Sequence, residues 1–114
     1  MILDDQSYKV YAWSMNIPKL SAKEAEVLRL LIANGEMYGL EMVQRSTMLK
    51  RGTVYVTLSR MSDKGYVESR LEDVSLGDGP ARRLYQVTGL GVRAFRAMEQ
   101  AARVFAGGEI VWGY

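Results

Sequence analysis

The residues with chemistry to offer are few in kind. The chain has no histidine and no cysteine, which removes thiol nucleophiles, disulfides, the usual zinc sites and the histidine general base. No carboxylate pair falls at a spacing that suggests an acid–base site, and a chain of 114 residues has little room for a deep pocket. What remains is recognition chemistry. In the stretch KRGTVYVTLSRMSDKG, residues 50–65, Thr53, Val56, Thr57, Arg60 and Lys64 recur on one helical stripe. That stripe is uncharged at its centre and cationic at its end. Val54, Leu58 and Met61, at i, i+4 and i+7, make a second stripe that is wholly apolar. The spacing predicts a helix closed by Gly65, a residue suited to the left-handed cap position. An α-helix fits the major groove of DNA, where hydroxyls meet bases or phosphates, a small apolar group meets a thymine methyl, and arginine reads guanine. Lys50 and Arg51 stand at the helix start. Cations there oppose the macrodipole by roughly 0.3–1 kcal/mol each, an arrangement that makes sense if an outside phosphate shares that end. The same pattern also fits an ordinary amphipathic surface helix, so the neighbouring elements must decide.

Those neighbours form a recognisable frame. Ser21 followed by Glu24 is a capping box ahead of an apolar run with Val27, Leu28, Leu31 and Ile32 on its face. The helix it opens stops at Gly35. A shorter helix spans 38–45, and a turn over 46–49 leads into the helix at 50–65. Three helices in this order, the last two joined by a brief turn, make a helix-turn-helix pattern. After Gly65, Val67, Ser69 and Leu71 alternate with Glu68, Arg70 and Glu72, the period of a half-buried strand. Residues 75–80 are dense in turn formers, and 82–87 read as a returning strand. The expected fold is mainly α with a two-stranded β-wing (α+β), a winged helix-turn-helix. Arg82 and Arg83, near the base of the wing, are placed to meet backbone phosphates. The competing reading of that hairpin leaves both arginines facing water.

Thr88 then caps a last helix, expected over 89 to about 105. Ala94, Phe95, Met98, Ala101, Ala102 and Phe105 fall on one side, with Arg93, Arg96, Gln100 and Arg103 on the other. Little of a three-helix core remains uncovered for so long a helix, so the stripe predicts an interface with a second copy, packing on its own chain being the competing reading. The expected organisation is an N-terminal arm at 1–19, the winged domain at 20–88, a dimerisation helix at 89–106 and a tail at 107–114. The arm alternates Tyr8, Val10 and Ala12 with Lys9, Tyr11 and Trp13, as a short strand would, before Pro18 breaks it. The tail starts with two glycines and ends aromatic, which suits a pairing strand or a disordered end.

The totals agree with a single domain. Hydrophobic residues make up 48% and charged residues 25%, ordinary for a globular chain. The net charge is only +2, but residues 50–103 hold ten Lys and Arg against six Asp and Glu, a local surplus of four. No apolar run approaches the roughly 20 residues of a membrane span, and the opening MILDDQ is acidic, unlike a signal peptide.

Over residues 20–91 the sequence resembles the PadR-like transcriptional regulators. The resemblance is carried by Tyr38-Gly39 with Glu41, by Gly52-Thr53-Val54-Tyr55 with Leu58 and Arg60, and by Gly65-Tyr66-Val67. It continues through Gly79-Pro80-Ala81-Arg82-Arg83-Leu84-Tyr85, Val87-Thr88 and Gly91. It implies a dimeric, cytoplasmic regulator, usually a repressor, that binds double-stranded DNA at an inverted repeat. It further implies that the third helix enters the groove while the wing touches the backbone. Thr53, Tyr55, Arg60, Arg82 and Arg83 are the DNA-facing residues the resemblance carries over. With the stripe and the helix start they give ten candidates: Lys50, Arg51, Thr53, Tyr55, Val56, Thr57, Arg60, Lys64, Arg82 and Arg83. Three departures stand out. The link before the third helix is short, Lys50 replaces the hydroxyl cap usual there, and the C-terminal part is one helix and a tail. Some small members bind aromatic drugs on a tryptophan of the last helix; Trp13 and Trp112 lie outside the expected helix, so the sequence carries no claim to an effector pocket and leaves the effector unknown. Neither a cofactor nor a metal is expected, and no enzymatic activity. The alternative function is a winged docking module that binds protein rather than DNA.

Overall fold

The computed structural model describes residues 19–72 and 82–112, with side chains to Val104. The predicted arm at 1–18 and the turn-rich wing tip within 73–81 lie outside the described residues. Helix α1 (Ala22–Asn34) begins as its sequence dictates: the Ser21 hydroxyl accepts from the Glu24 N–H at 3.1 Å, and the Glu24 carboxylate accepts from the Ser21 N–H at 2.9 Å. It ends at Gly35, φ 79°, whose N–H donates to the Leu31 carbonyl. Val27, Leu28, Leu30 and Leu31 enter the core. Ile32, expected on that face, is instead exposed, and Leu30 takes the place.

Helix α2 (Gly39–Arg45) and helix α3 (Arg51–Asp63) complete the helix-turn-helix. Met42, Val54, Leu58 and Met61 are fully buried in the same core as the α1 side chains, each such side chain contributing about 1.5–3 kcal/mol. Glu26 of α1 ties the turn between α2 and α3 to the core. Hydrogen bonds from Arg29 and then Ser46 hold its carboxyl at about 2, well below the usual range.

The wing is β2 (Val67–Leu71) antiparallel to β3 (Arg83–Val87), with Val67 opposite Val87 and Leu71 opposite Arg83. A third strand, β1 (Met37–Tyr38), pairs with the other edge of β3, so the sheet order is β1-β3-β2. The two-residue β1 was not expected from the sequence. Helix α4 runs Gly89–Trp112. It therefore passes straight through Gly107 and Gly108, and the expected tail is helical to Trp112. Trp112 is thus part of the last helix, which removes the ground on which an effector pocket was set aside.

Helix α3, the wing and α4 meet at one point. Helix α3 closes in a Schellman motif: the Tyr66 N–H donates to the Met61 carbonyl at 2.9 Å and the Gly65 N–H to that of Ser62 at 3.0 Å, with Gly65 at φ +80°. Thr88 donates its hydroxyl proton to the Gly65 carbonyl at 2.6 Å and accepts from the Gly91 N–H at 3.0 Å, capping α4. A Cβ on Gly91 would lie 2.2 Å from the Tyr66 carbonyl oxygen, whereas one on Gly52 would meet nothing within 4 Å. Gly91→Ala should therefore cost stability toward the upper end of the roughly 1–3 kcal/mol typical of overpacking, because the obstacle is backbone. Gly52→Ala should leave stability unchanged or raise it by up to about 1 kcal/mol. Denaturant melts of the two variants check this; a Gly91→Ala protein that melts with the parent would overturn the packing.

Candidate nucleic-acid interface

Helix α3 starts at Lys50, whose extended backbone (φ −117°, ψ 148°) turns the chain into the helix. The Lys50 carbonyl accepts from the N–H groups of Thr53 and Val54 at 3.1 and 2.9 Å. Among the described residues no side chain caps this end. The first-turn N–H groups left over, with Lys50 and Arg51 exposed beside them, form a positive end open to an anion. Thr53, Val56 and Arg60 are all exposed and lie at i, i+3 and i+7, one face of the helix. Val56 is apolar yet 52% exposed, and Tyr55 beside it 46%.

Two of the ten candidates sit otherwise than expected. Thr57 is 8% exposed, not part of the presented face. Its hydroxyl donates to the Thr53 carbonyl at 3.2 Å, which satisfies the polar group inside the helix and lets the rest of the side chain be buried. Lys64 is not a free cation: its ammonium lies 2.8 Å from the Glu24 carboxylate on α1, the two side chains being 43% and 7% exposed. Lys64 thus holds the end of α3 to the core.

In the wing, Arg82 and Arg83 are exposed. The Arg82 guanidinium lies over the Tyr38 ring, 5.5 Å from its centroid, and Arg83 donates to the Ser69 hydroxyl at 3.0 Å. Both arginines border an open cleft of about 760 Å³ between α2, α3 and β3. Tyr55 enters it from α3, Tyr38, Leu40 and Gln44 from the α2 side, and Tyr85 from β3. Burial pushes the Tyr85 hydroxyl above its ordinary value, partly countered by Arg83 and reinforced by Tyr55. Sequence reasoning missed the α2 side of this cleft. The Tyr38-Gly39 pair was visible only as a motif, with no periodicity to show that it faces the wing.

The sequence matches the PadR-like family of transcriptional regulators over residues 27–97. The chain belongs to this family. Three solved structures of PadR proteins share the fold. A PadR family regulator from Clostridium difficile superposes with a TM-score of 0.66 at 23% identity, covering 82% of this chain and all of that one. A PadR family regulator from Eggerthella lenta gives 0.61 at 18% identity, covering 95% of this chain and 93% of that one. Bacillus subtilis PadR, solved in complex with operator DNA, gives 0.60 at 19% identity, covering 68% of this chain and 46% of that one. No curated protein matches the sequence. At these identities the likenesses establish the winged fold. No helix among the described residues is long and apolar enough to cross a membrane.

The expected subunit stripe on α4 divides. Ala94 is buried within the chain and Phe95 packs on the core, so these two serve the monomer, a correction to their expected place between subunits. Met98 and Ala101 are partly covered, Ala102 is exposed and Val104 is 63% exposed; the Phe105 side chain lies outside the described residues.

The Glu24–Lys64 pair gives a prediction with a definite sign. Burial alone would raise the Glu24 carboxyl, but hydrogen bonds from Lys64 and Ser21 and the Lys64 charge outweigh it and hold it below the ordinary value. A carboxylate depressed in the folded state contributes stability above its unfolded value that is lost as pH falls through the folded one. Lys64→Met leaves burial unopposed by the ammonium. It should cost about 1–2 kcal/mol at neutral pH, less than the roughly 3–5 of a fully buried pair because Lys64 is partly solvated. Melts of parent and variant between pH 7 and 3 should converge as Glu24 protonates; a gap constant with pH would exclude the pair as its source.

Proposed function

We propose that this PadR-like protein is a dimeric, cytoplasmic repressor that binds an inverted repeat in double-stranded DNA, with no catalytic activity and no cofactor. The observation that carries the reading is the exposed Thr53–Val56–Arg60 face of α3. A hydroxyl, an apolar branch and a guanidinium stand in a row there, beside an uncapped positive helix end. The Val56 side chain leaves half its surface to solvent, and a thymine methyl would cover it, while Arg60 suits guanine. Lys50, Arg51, Tyr55, Arg82 and Arg83 are then phosphate contacts that set register rather than sequence. The operator complex of Bacillus subtilis PadR supports the reading by analogy of fold. The winged docking module is the alternative that the binding experiments test.

Selection from a random duplex pool with the purified protein should enrich an inverted repeat. Arg60→Ala should leave melting within about 0.5 kcal/mol of the parent, since it is a surface change. It should weaken binding to the selected site by about 1–3 kcal/mol and relax one base-pair preference. Replacing Lys50 and Arg51 by alanine should instead weaken all duplexes and reduce the salt slope by about one for each phosphate that is no longer neutralised. If both variants bind duplex DNA as the parent does, α3 is not the reading element and the docking module takes its place.

For the dimer, Met98, Ala101, Ala102 and Phe105 of α4 are the proposed contacts. The helix continues past the point where its own chain covers it, and small alanines allow close approach. Met98→Glu would place a charge in that contact. Sedimentation at micromolar concentration should shift from dimer to monomer; a variant that stays dimeric would show that the subunits join elsewhere.

A further inference from the structure

We propose that Tyr38 and Gly39, where β1 joins α2, are positioning residues that set Arg82 of the wing and Tyr55 of α3 on either side of one DNA backbone phosphate; this rests on the DNA-binding reading above. Neither residue carries a charge and neither belongs to the reading helix. Their role follows from what each touches. The Tyr38 ring lies under the Arg82 guanidinium at 5.5 Å. Stacking on an aromatic face restrains the guanidinium while leaving its in-plane N–H groups free to donate. Gly39 faces Tyr55: a Cβ there would lie 2.7 Å from the Tyr55 ring and 3.1 Å from its hydroxyl. The hydrogen at position 39 is what lets the ring lie against the α2 backbone with its hydroxyl at the cleft.

The short strand β1 links the two contacts. Tyr38 pairs with Leu84, two residues beyond Arg82, so β3 carries Arg82 back to the Tyr38 ring. One dipeptide therefore touches a side chain of the wing and one of the reading helix. The cleft between them has the chemistry of a phosphodiester site. Arg82 and Arg83 border it, Tyr55 adds a neutral donor, and Glu41 is the lone carboxylate among its described lining residues. One oxygen of Glu41 accepts from the Tyr38 N–H at 2.8 Å, which directs it to the backbone. The cleft is open and shares Tyr55 with the exposed side of α3, which suits a phosphate of a continuous strand rather than a free ion.

The test uses the full chain, the selected duplex and single methylphosphonate substitutions along each strand. Tyr38→Leu should weaken binding roughly three- to fivefold, the scale of an exposed cation–π contact, although it removes no phosphate donor. Tyr38→Phe, which keeps the ring face, should bind like the parent. Arg82→Ala should lower the salt slope by about one, and adding Tyr38→Leu to it should cause no further weakening. One methylphosphonate position should weaken the parent, and weaken both Arg82→Ala and Tyr55→Phe by less, because each variant has already lost one of the two contacts to that phosphate. Gly39→Ala should mimic Tyr55→Phe while melting near the parent. Additive effects of Tyr38→Leu and Arg82→Ala, or attenuation at different positions in Arg82→Ala and Tyr55→Phe, would overturn the inference alone. So would inorganic phosphate binding abolished by these variants with duplex binding intact. A parent that binds no duplex would overturn the inference and the proposed function together.

Discussion

The arrangement depends on how closely the chain approaches itself at Gly65, Thr88 and Gly91. Helix α3 ends, the wing closes and the last helix begins within one cluster of hydrogen bonds. A side chain at Gly91 would sit inside van der Waals contact of the Tyr66 carbonyl, so the start of α4 cannot be there unless that residue is glycine. The left-handed Gly65 imposes a similar demand on the other side. Two glycines and one threonine therefore fix the angle between the helix that would read DNA and the wing that would flank it. On the proposed reading these residues touch nothing outside the protein. Their effect on recognition is wholly geometric.

The two ends of α3 are built on opposite principles. At the C-terminal end the Met61 and Ser62 carbonyls are committed to the Schellman turn and the Lys64 ammonium to a buried carboxylate. At the N-terminal end, among the described residues, no side chain caps the helix. Lys50 offers only its backbone, and two cations stand where the helix dipole disfavours them. Anchoring one end firmly allows the other to remain electrostatically unsatisfied without fraying. The cost of the open end is recovered only when an anion arrives, so the frustration lies where binding is proposed.

Much of this was legible in the sequence because it follows from periodicity and punctuation. The Ser21–Glu24 box, Gly35, the Val54–Leu58–Met61 stripe and the Val67-to-Leu71 strand each carry a local signal that tertiary structure did not override. Most of the exceptions are settled by a particular partner rather than by a period. Thr57 looks polar, yet the Thr53 carbonyl one turn back satisfies its hydroxyl and permits burial. Lys64 looks free, yet its partner lies 40 residues earlier. Met37 and Tyr38 are too few to show a period, and they form a strand because β3 presents an unpaired edge. Gly107 and Gly108 read as a break, since glycine costs about 1 kcal/mol each in a helix, but the helix continues to Trp112.

The last helix shows why one apolar stripe cannot name its own partner. Ala94 and Phe95 lie on the same side as Met98, Ala101 and Ala102, and the helical spacing makes no distinction among them. What separates them is where the rest of the chain stops. Helix α1 and strand β3 cover the first turns of α4, and by Ala102 and Val104 exposure has replaced contact. A stripe that begins as core and continues as surface is one apolar face crossing the edge of its domain. If a second copy covers the remainder, as proposed, each subunit joins its partner through the helix that also packs on Gly65 and Thr88. The spacing between two reading helices would then be set through the same cluster that sets each helix against its wing. Dimer geometry and groove geometry would not be independent variables in this protein.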